Sequence, residues 1–141
     1  MKDNVFIDTN VLVYAKLQDE KNADKRAAAV TAIENLPGLP VVSVQVLNEF
    51  SSSLLKHKVP PDLILQAVRE IAKESLVIPI DLDLVWETWH IMEKYHFSYW
   101  DSMIIAAALR GNCSTLYTED MQHGQTIETR LEVVNPFIPR P

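Results

Sequence analysis

The sequence predicts an α/β fold: a three-layer α/β/α sandwich around a mainly parallel sheet. Three observations predict it. Short, wholly apolar runs such as Val5-Phe6-Ile7 and Val41-Val42 read as strands buried on both faces. Longer stretches with apolar residues at helical spacing, such as Val85, Trp89 and Met92, lie between those runs. Capping and turn residues stand at the joints.

Taken in order, residues 5–7 form the first strand, and a short helix begins near Asn10. An Ala-rich helix follows over residues 22–35 and stops at Leu36-Pro37-Gly38. Val41-Val42 is a second strand, and Ser43 is the N-cap of a helix carrying Glu49. Pro60-Pro61 opens the next helix, with Pro61 near the favoured first-turn position. Residues 76–80 form a strand, and Asp81 caps a helix whose apolar face includes Val85, Trp89 and Met92. Ser98-Tyr99-Trp100-Asp101 has capping-box spacing at the head of a helix over residues 103–109, and Gly111 suits its end. Residues 113–117 and 131–134 are the last two strands, and residues 136–141 read as an irregular tail.

With 141 residues the chain is long enough for a real core and is read as one domain, residues 1–141. Its single cysteine, Cys113, rules out an internal disulfide and suits a reducing, cytoplasmic setting. No apolar stretch approaches the ~20 residues of a membrane span. The N-terminus runs straight into a strand, without the pattern of a secretory signal. A formal charge of −6 weighs mildly against a nucleic-acid binder. Basic residues gather locally as Lys21, Lys25 and Arg26, and as Lys56, His57 and Lys58; each group reads first as a solvated helix face or end.

Four acids carry the functional signal. Asp8 closes the first apolar run, and Asp120 follows Leu116-Tyr117-Thr118-Glu119. Glu49 and Asp101 sit in helices with apolar faces. A carboxylate in such a setting is costly to desolvate unless a positive charge pairs with it, and no Lys or Arg lies nearby in sequence. An all-oxygen set of this kind suits Mg²⁺ or Mn²⁺ rather than zinc. Hard cations among carboxylates suit phosphodiester hydrolysis, in which two-metal sites hold their ions ~3.5–4 Å apart. Singly, each acid has an ordinary structural use. Asp8 can cap the next helix, Asp101 can complete a capping box, Glu49 can face solvent, and Asp120 can sit in a turn. Those uses do not account for the set.

The segments Ile7-Asp8-Thr9-Asn10, Asn48-Glu49-Phe50, residues 99–108 (YWDSMIIAAA) and Tyr117-Thr118-Glu119-Asp120-Met121 resemble the PIN-domain family in order and spacing. Each motif alone is weak; the four together are specific and cover almost the whole chain. The likeness is strongest to single-domain VapC-type toxins of prokaryotic toxin–antitoxin systems. It implies a PIN-like sandwich and a Mg²⁺- or Mn²⁺-dependent endoribonuclease. Asp8 and Asp101 would be the leading metal ligands, with Glu49 and Asp120 completing the site directly or through water. Thr9, Asn10 and Thr118 would orient the acids or the attacking water. The resemblance also implies an RNA substrate, an antitoxin partner and a homodimer. Glu119 competes with Asp120; alternation along an extended segment admits only one to the site, and the family pattern chooses Asp120.

Other residues have weaker claims. His57, His90, His96 and His123 lack the pair spacing of a zinc site. His123, near Asp120, is read as a loop residue before a phosphate contact. Trp89 is expected in the core, whereas Trp86 and Trp100 are open to base stacking, Trp100 being the better placed. Cys113 is expected to be buried and unreactive. Three rival functions stay open: a catalytically silent PIN-like RNA- or protein-binding module, an aspartyl-phosphate phosphatase, and a response-regulator receiver. The phosphatase wants a second acid where Asn10 stands. The receiver's acidic pair and lysine have no counterpart.

Overall fold

The computed structural model describes residues 3–139. Six strands form one sheet: β1 (Asn4–Ile7), β2 (Pro40–Ser43), β3 (Leu76–Ile78), β4 (Cys113–Tyr117), β5 (Thr126–Ile127) and β6 (Leu131–Val134). Their spatial order is β3-β2-β1-β4-β6-β5, parallel throughout except for the antiparallel edge strand β5. The chain builds outward from β1 through β2 to β3, then returns to β1's other side with β4. The direction of strand order therefore reverses between β1 and β4, whose register pairs Ile7 with Tyr117. Ligand crevices of open α/β sheets form at such a reversal, beyond the carboxyl ends of the strands.

The helices are α1 (Thr9–Lys16), α2 (Ala23–Glu34), α3 (Val44–Lys56), α4 (Pro61–Glu74), α5 (Leu82–Tyr95) and α6 (Tyr99–Arg110). In one group α1 packs on both α2 and α3, and α3 packs on α4; α5 and α6 form a separate pair. Both groups reach the sheet, α3 at β2 and α6 at β2 and β4, which gives the expected α/β/α arrangement. Val5, Phe6, Ile7, Val41, Val42 and Leu116 are buried, as strands covered on both faces require.

Local chemistry sets the joints. Asp8, Ser43, Asp81 and Ser98 each cap the following helix through the side chain. Pro61 occupies the first turn of α4, where its missing N–H costs no bond. Every residue of α6 from Ser102 to Ala108 is buried, and the small Ala106-Ala107-Ala108 run lets neighbours approach closely. Gly38 is required by crowding, since a Cβ there would lie 2.4 Å from the carbonyl oxygen of Asp3.

Four details differ from the sequence expectation. The strand expected over residues 76–80 ends at Ile78, because Pro79 cannot donate to the ladder. Helix α6 begins at Tyr99, directly after its cap, rather than at Met103. On α5 the buried face is Leu84, Thr88 and Ile91, so Trp89 is not core: it is 46% exposed, one position off that stripe. Gly111 does end α6, but with φ −78°; the left-handed residue is Asn112, and Gly111 is small because Val41 presses against it. The 3-10 turn at Glu20–Asn22 and strand β5 had no counterpart in the expectation. Of the tail, residues 136–139 are irregular, and Arg140 and Pro141 lie outside the described residues, as do Met1 and Lys2. No helix among the described residues is long and apolar enough to cross a membrane.

Candidate active site

Asp8 follows the last residue of β1 and is only 4% exposed. Its backbone N–H continues the sheet by donating to the Tyr117 carbonyl at 3.0 Å, which fixes it beside the end of β4. One carboxylate oxygen accepts the Thr9 N–H at 2.7 Å, so the capping role is real. The other accepts the Thr118 hydroxyl at 2.8 Å and turns toward the reversal point. Burial is the main influence on its acidity and outweighs these two bonds; Asp120 and Glu49 add like-charge repulsion. The Asp8 carboxyl is pushed up to about 7.

Asp120 arrives from β4 by way of Thr118. Its N–H donates to the Thr118 hydroxyl at 3.1 Å, and its carboxylate accepts the Asn10 side-chain amide at 2.9 Å. The same Asn10 amide stands 3.4 Å from Thr118 Oγ1 and 3.5 Å from Asp8 Oδ2, while its carbonyl lies 3.4 Å from the Glu119 N–H. Asn10 thus ties the two strand ends together through both ends of one amide.

Glu49 approaches from α3, with Oε1 accepting the Thr9 hydroxyl at 2.8 Å and Oε2 accepting Gln45 Nε2 at 3.2 Å. Asp101 lies in the first turn of α6. Ser98 Oγ accepts the Asp101 N–H at 3.1 Å, which is the first half of the expected capping box. Burial raises the Asp101 carboxyl above its ordinary range, and repulsion from Asp120 and then Glu49 pushes the same way. Mutual repulsion therefore joins all four acids, drawn from β1, α3, α6 and the turn after β4.

Glu119 is turned aside: its carboxylate meets Lys25 Nζ at 2.9 Å, and Lys25 also approaches the Tyr14 hydroxyl. Glu119 and Asp120 lie in a bend after β4 rather than in an extended segment, and their side chains find different partners, Lys25 and Asn10. Lys25, expected on a solvated face, is instead half-buried against Tyr14, Glu119 and Phe137. His123 accepts the Asn135 N–H through Nδ1 at 2.9 Å, a loop-fastening bond. Cys113 is buried, and desolvation pushes its thiol up to about 12.

One participant was missed. Gln45 is 5% exposed, and its amide donates to both Glu49 and the Trp100 carbonyl, each at 3.2 Å. It bridges α3 to the head of α6. The signal was its spacing of four from Glu49, which puts both on one helix face. Gln45 Oε1 and Ser102 Oγ are buried with no hydrogen-bond partner among the described residues.

Does this donor set fit a hard divalent cation? Chemically it does: the groups are all carboxylate oxygens, two of them raised in pKa by burial and repulsion, which a cation would reverse. In spacing, no three His, Cys, Asp or Glu side chains among the described residues are gathered closely enough to enclose an ion. Thr9, Asn10 and Thr118 link the acids instead.

Comparison with known proteins identifies the fold. The PIN domain family model matches residues 5–126, and the chain belongs to that family. Among solved structures, a toxin–antitoxin complex from Klebsiella pneumoniae superposes with a TM-score of 0.70 at 20% identity, over 94% of this chain and 97% of that one. VapC20 of Mycobacterium tuberculosis, described as a Sarcin-Ricin loop cleaving toxin, gives 0.64 at 19% identity, over 82% and 89%. VapBC2 from Rickettsia felis, bound to a DNA fragment from its promoter, gives 0.61 at 17% identity, over 94% and 99%. The fold is therefore the one these three structures share. Compared by sequence with curated proteins, the chain matches none.

Proposed function

We propose that this PIN domain is a Mg²⁺- or Mn²⁺-dependent endoribonuclease, the toxin of a toxin–antitoxin pair. The observation that carries the reading is Asp8. A carboxyl group this buried, at the strand-order reversal and repelled by Asp120 and Glu49, is costly to ionise despite its two hydrogen bonds. Its placement makes chemical sense as a cation site.

Asp8 and Asp101 would hold the cation, with Glu49 and Asp120 beside them, directly or through water. Bound there, the cation would neutralise the phosphodiester and make a nearby water more acidic. The chain's own residues do the positioning. Thr118 and the Thr9 N–H fix the two oxygens of Asp8, and Asn10 fixes Asp120. Each Glu49 oxygen accepts one hydrogen bond and keeps a lone pair for water.

Support for the antitoxin comes from the likeness to toxin–antitoxin complexes. A basic side chain of such a partner would match the acidic crevice, and a homodimer belongs to the same proposal. The second reading, a silent PIN-like RNA- or protein-binding module, draws on the spacing of the acids, which exceeds that needed to close around one ion.

Cleavage of RNA after chelation and after Mn²⁺ addition separates the two. The nuclease reading expects activity only with the cation, and a loss of at least about a hundredfold in Asp8→Asn and in Asp101→Asn with unchanged circular dichroism. Undiminished cleavage in both variants overturns the site; RNA binding without cleavage supports the silent module.

A further inference from the structure

Three tryptophans stand in solvent on α5 and α6: Trp86 is 59% exposed, Trp89 46% and Trp100 59%. Large indoles gathered at a surface call for a partner. Two of them are joined through Tyr99, which makes edge-to-face contacts with Trp100 (centroids 5.3 Å apart, planes at 87°) and with Trp89 (5.8 Å, 64°). Such contacts hold each ring's orientation, and most of Trp100 stays open to solvent.

The platform is continuous with the candidate site. Trp100 immediately precedes Asp101, and its carbonyl accepts the Gln45 amide that also holds Glu49. The backbone beneath the exposed indole is thus fixed by a buried group that orients a site carboxylate.

Charge decides what the platform must supply. At a formal −6, and with an acidic crevice, the chain exerts no net long-range pull on a polyanion. Lys25, the cation bonded beside the crevice, is already engaged by Glu119 and Tyr14. Stacking on aromatic rings needs no phosphate contact and works with any base.

We propose that Trp100 stacks on an unpaired base next to the scissile phosphate, steadied by Tyr99 and Trp89, and so positions single-stranded RNA over the carboxylates. The inference rests on the ribonuclease reading and names what that site grips. A base in a duplex has both faces covered by its neighbours, so the platform favours loops and unpaired strands.

The test uses the full chain with Mn²⁺ and an unstructured RNA, comparing wild type, Trp100→Ala and Trp100→Phe. We expect Trp100→Ala to raise KM roughly five- to a hundredfold, with kcat within about threefold and most of the effect recovered by Trp100→Phe. An abasic nucleotide beside the cut should cause the same loss in wild type and no added loss in Trp100→Ala. Unchanged KM in Trp100→Ala, or additive losses with the abasic substrate, overturns the proposal. So does a fall in sedimentation coefficient that accompanies the loss, which would assign the surface to contact between copies. Binding of a labelled RNA to Asp8→Asn, with and without Trp100→Ala, is read separately by fluorescence anisotropy. If wild type cuts nothing, the ribonuclease reading fails; Trp100-dependent anisotropy would then still support stacking, and Trp100-independent or absent binding would overturn it.

Discussion

At the scale of single residues, Asp8 concentrates the conflict between fold and function. Burial raises its carboxyl from about 3.8 to about 7, so an ionised Asp8 costs the native state on the order of 4 kcal/mol when no cation is present. The sign follows from proton counts. Between those two values the native protein keeps a proton that the unfolded chain has released, so stability falls as pH rises through the window. Urea titrations of chelated protein should therefore give a lower midpoint at pH 8 than at pH 5. Asp8→Asn should gain roughly 1–3 kcal/mol at pH 8 and little at pH 5, because the amide removes the charge and keeps the shape. A variant less stable than wild type at pH 8 would contradict this account. Asp8 and Asp120 stand out in the sequence as carboxylates closing apolar runs, and Glu49 and Asp101 as acids in helices with apolar faces. Gln45 does not, since a buried amide looks like any polar residue until its two acceptors, 4 and 55 positions away, are brought together. The Lys25–Glu119 pair, 94 positions apart, was hidden for the same reason.

Among the elements, legibility followed the strength of local chemistry. The helices with side-chain caps at Ser43, Asp81 and Ser98 begin directly after those residues. Strand β5 was invisible because it is two residues long and its turn lacks the usual marks. Glu128 and Thr129 both take left-handed conformations, φ 52° and 57°, with Arg130 N–H closing on the Ile127 carbonyl. Such a turn ordinarily carries Asn and Gly. Here the Tyr95 hydroxyl and Lys94 grip the Glu128 carboxylate, at 2.7 and 2.6 Å, and hold the turn from α5. A β-branched residue at positive φ is strained. Thr129→Gly should accordingly raise the unfolding free energy by roughly 0.5–1 kcal/mol in denaturant titration, without altering catalysis. A drop would mean that threonine's own contacts outweigh its strain. On α5 the apolar residues Val85, Trp89 and Met92 each lie one position beyond the buried stripe, which runs through Leu84, Thr88 and Ile91.

For the molecule as a whole, the parallel order β3-β2-β1-β4-β6 puts β1 at the centre, where Asp8 has a neighbour on each side. Strand alternation with helices made the sandwich legible; strand order was not, because nothing local distinguishes a strand laid outside β3 from one laid against β1. The overall charge has a measurable consequence. With no more than one phosphate contact, the KM for unstructured RNA should change less than about threefold between roughly 50 and 200 mM salt, whereas six to ten contacts on a single strand would give about 10²–10⁴. A steep dependence would show that Lys21, Arg26, Lys56 and Lys58 do grip the backbone.

The central place of β1 also governs how the protein is born. Its first strand emerges from the ribosome long before β4, which must lie against it, and Asp8 waits for Asp120 until 112 further residues have been made. A nascent chain or a prematurely terminated one therefore holds half a crevice and none of its opposing wall. On the ribonuclease reading proposed above, that ordering is itself a safeguard: cutting waits until Asp120 has been made.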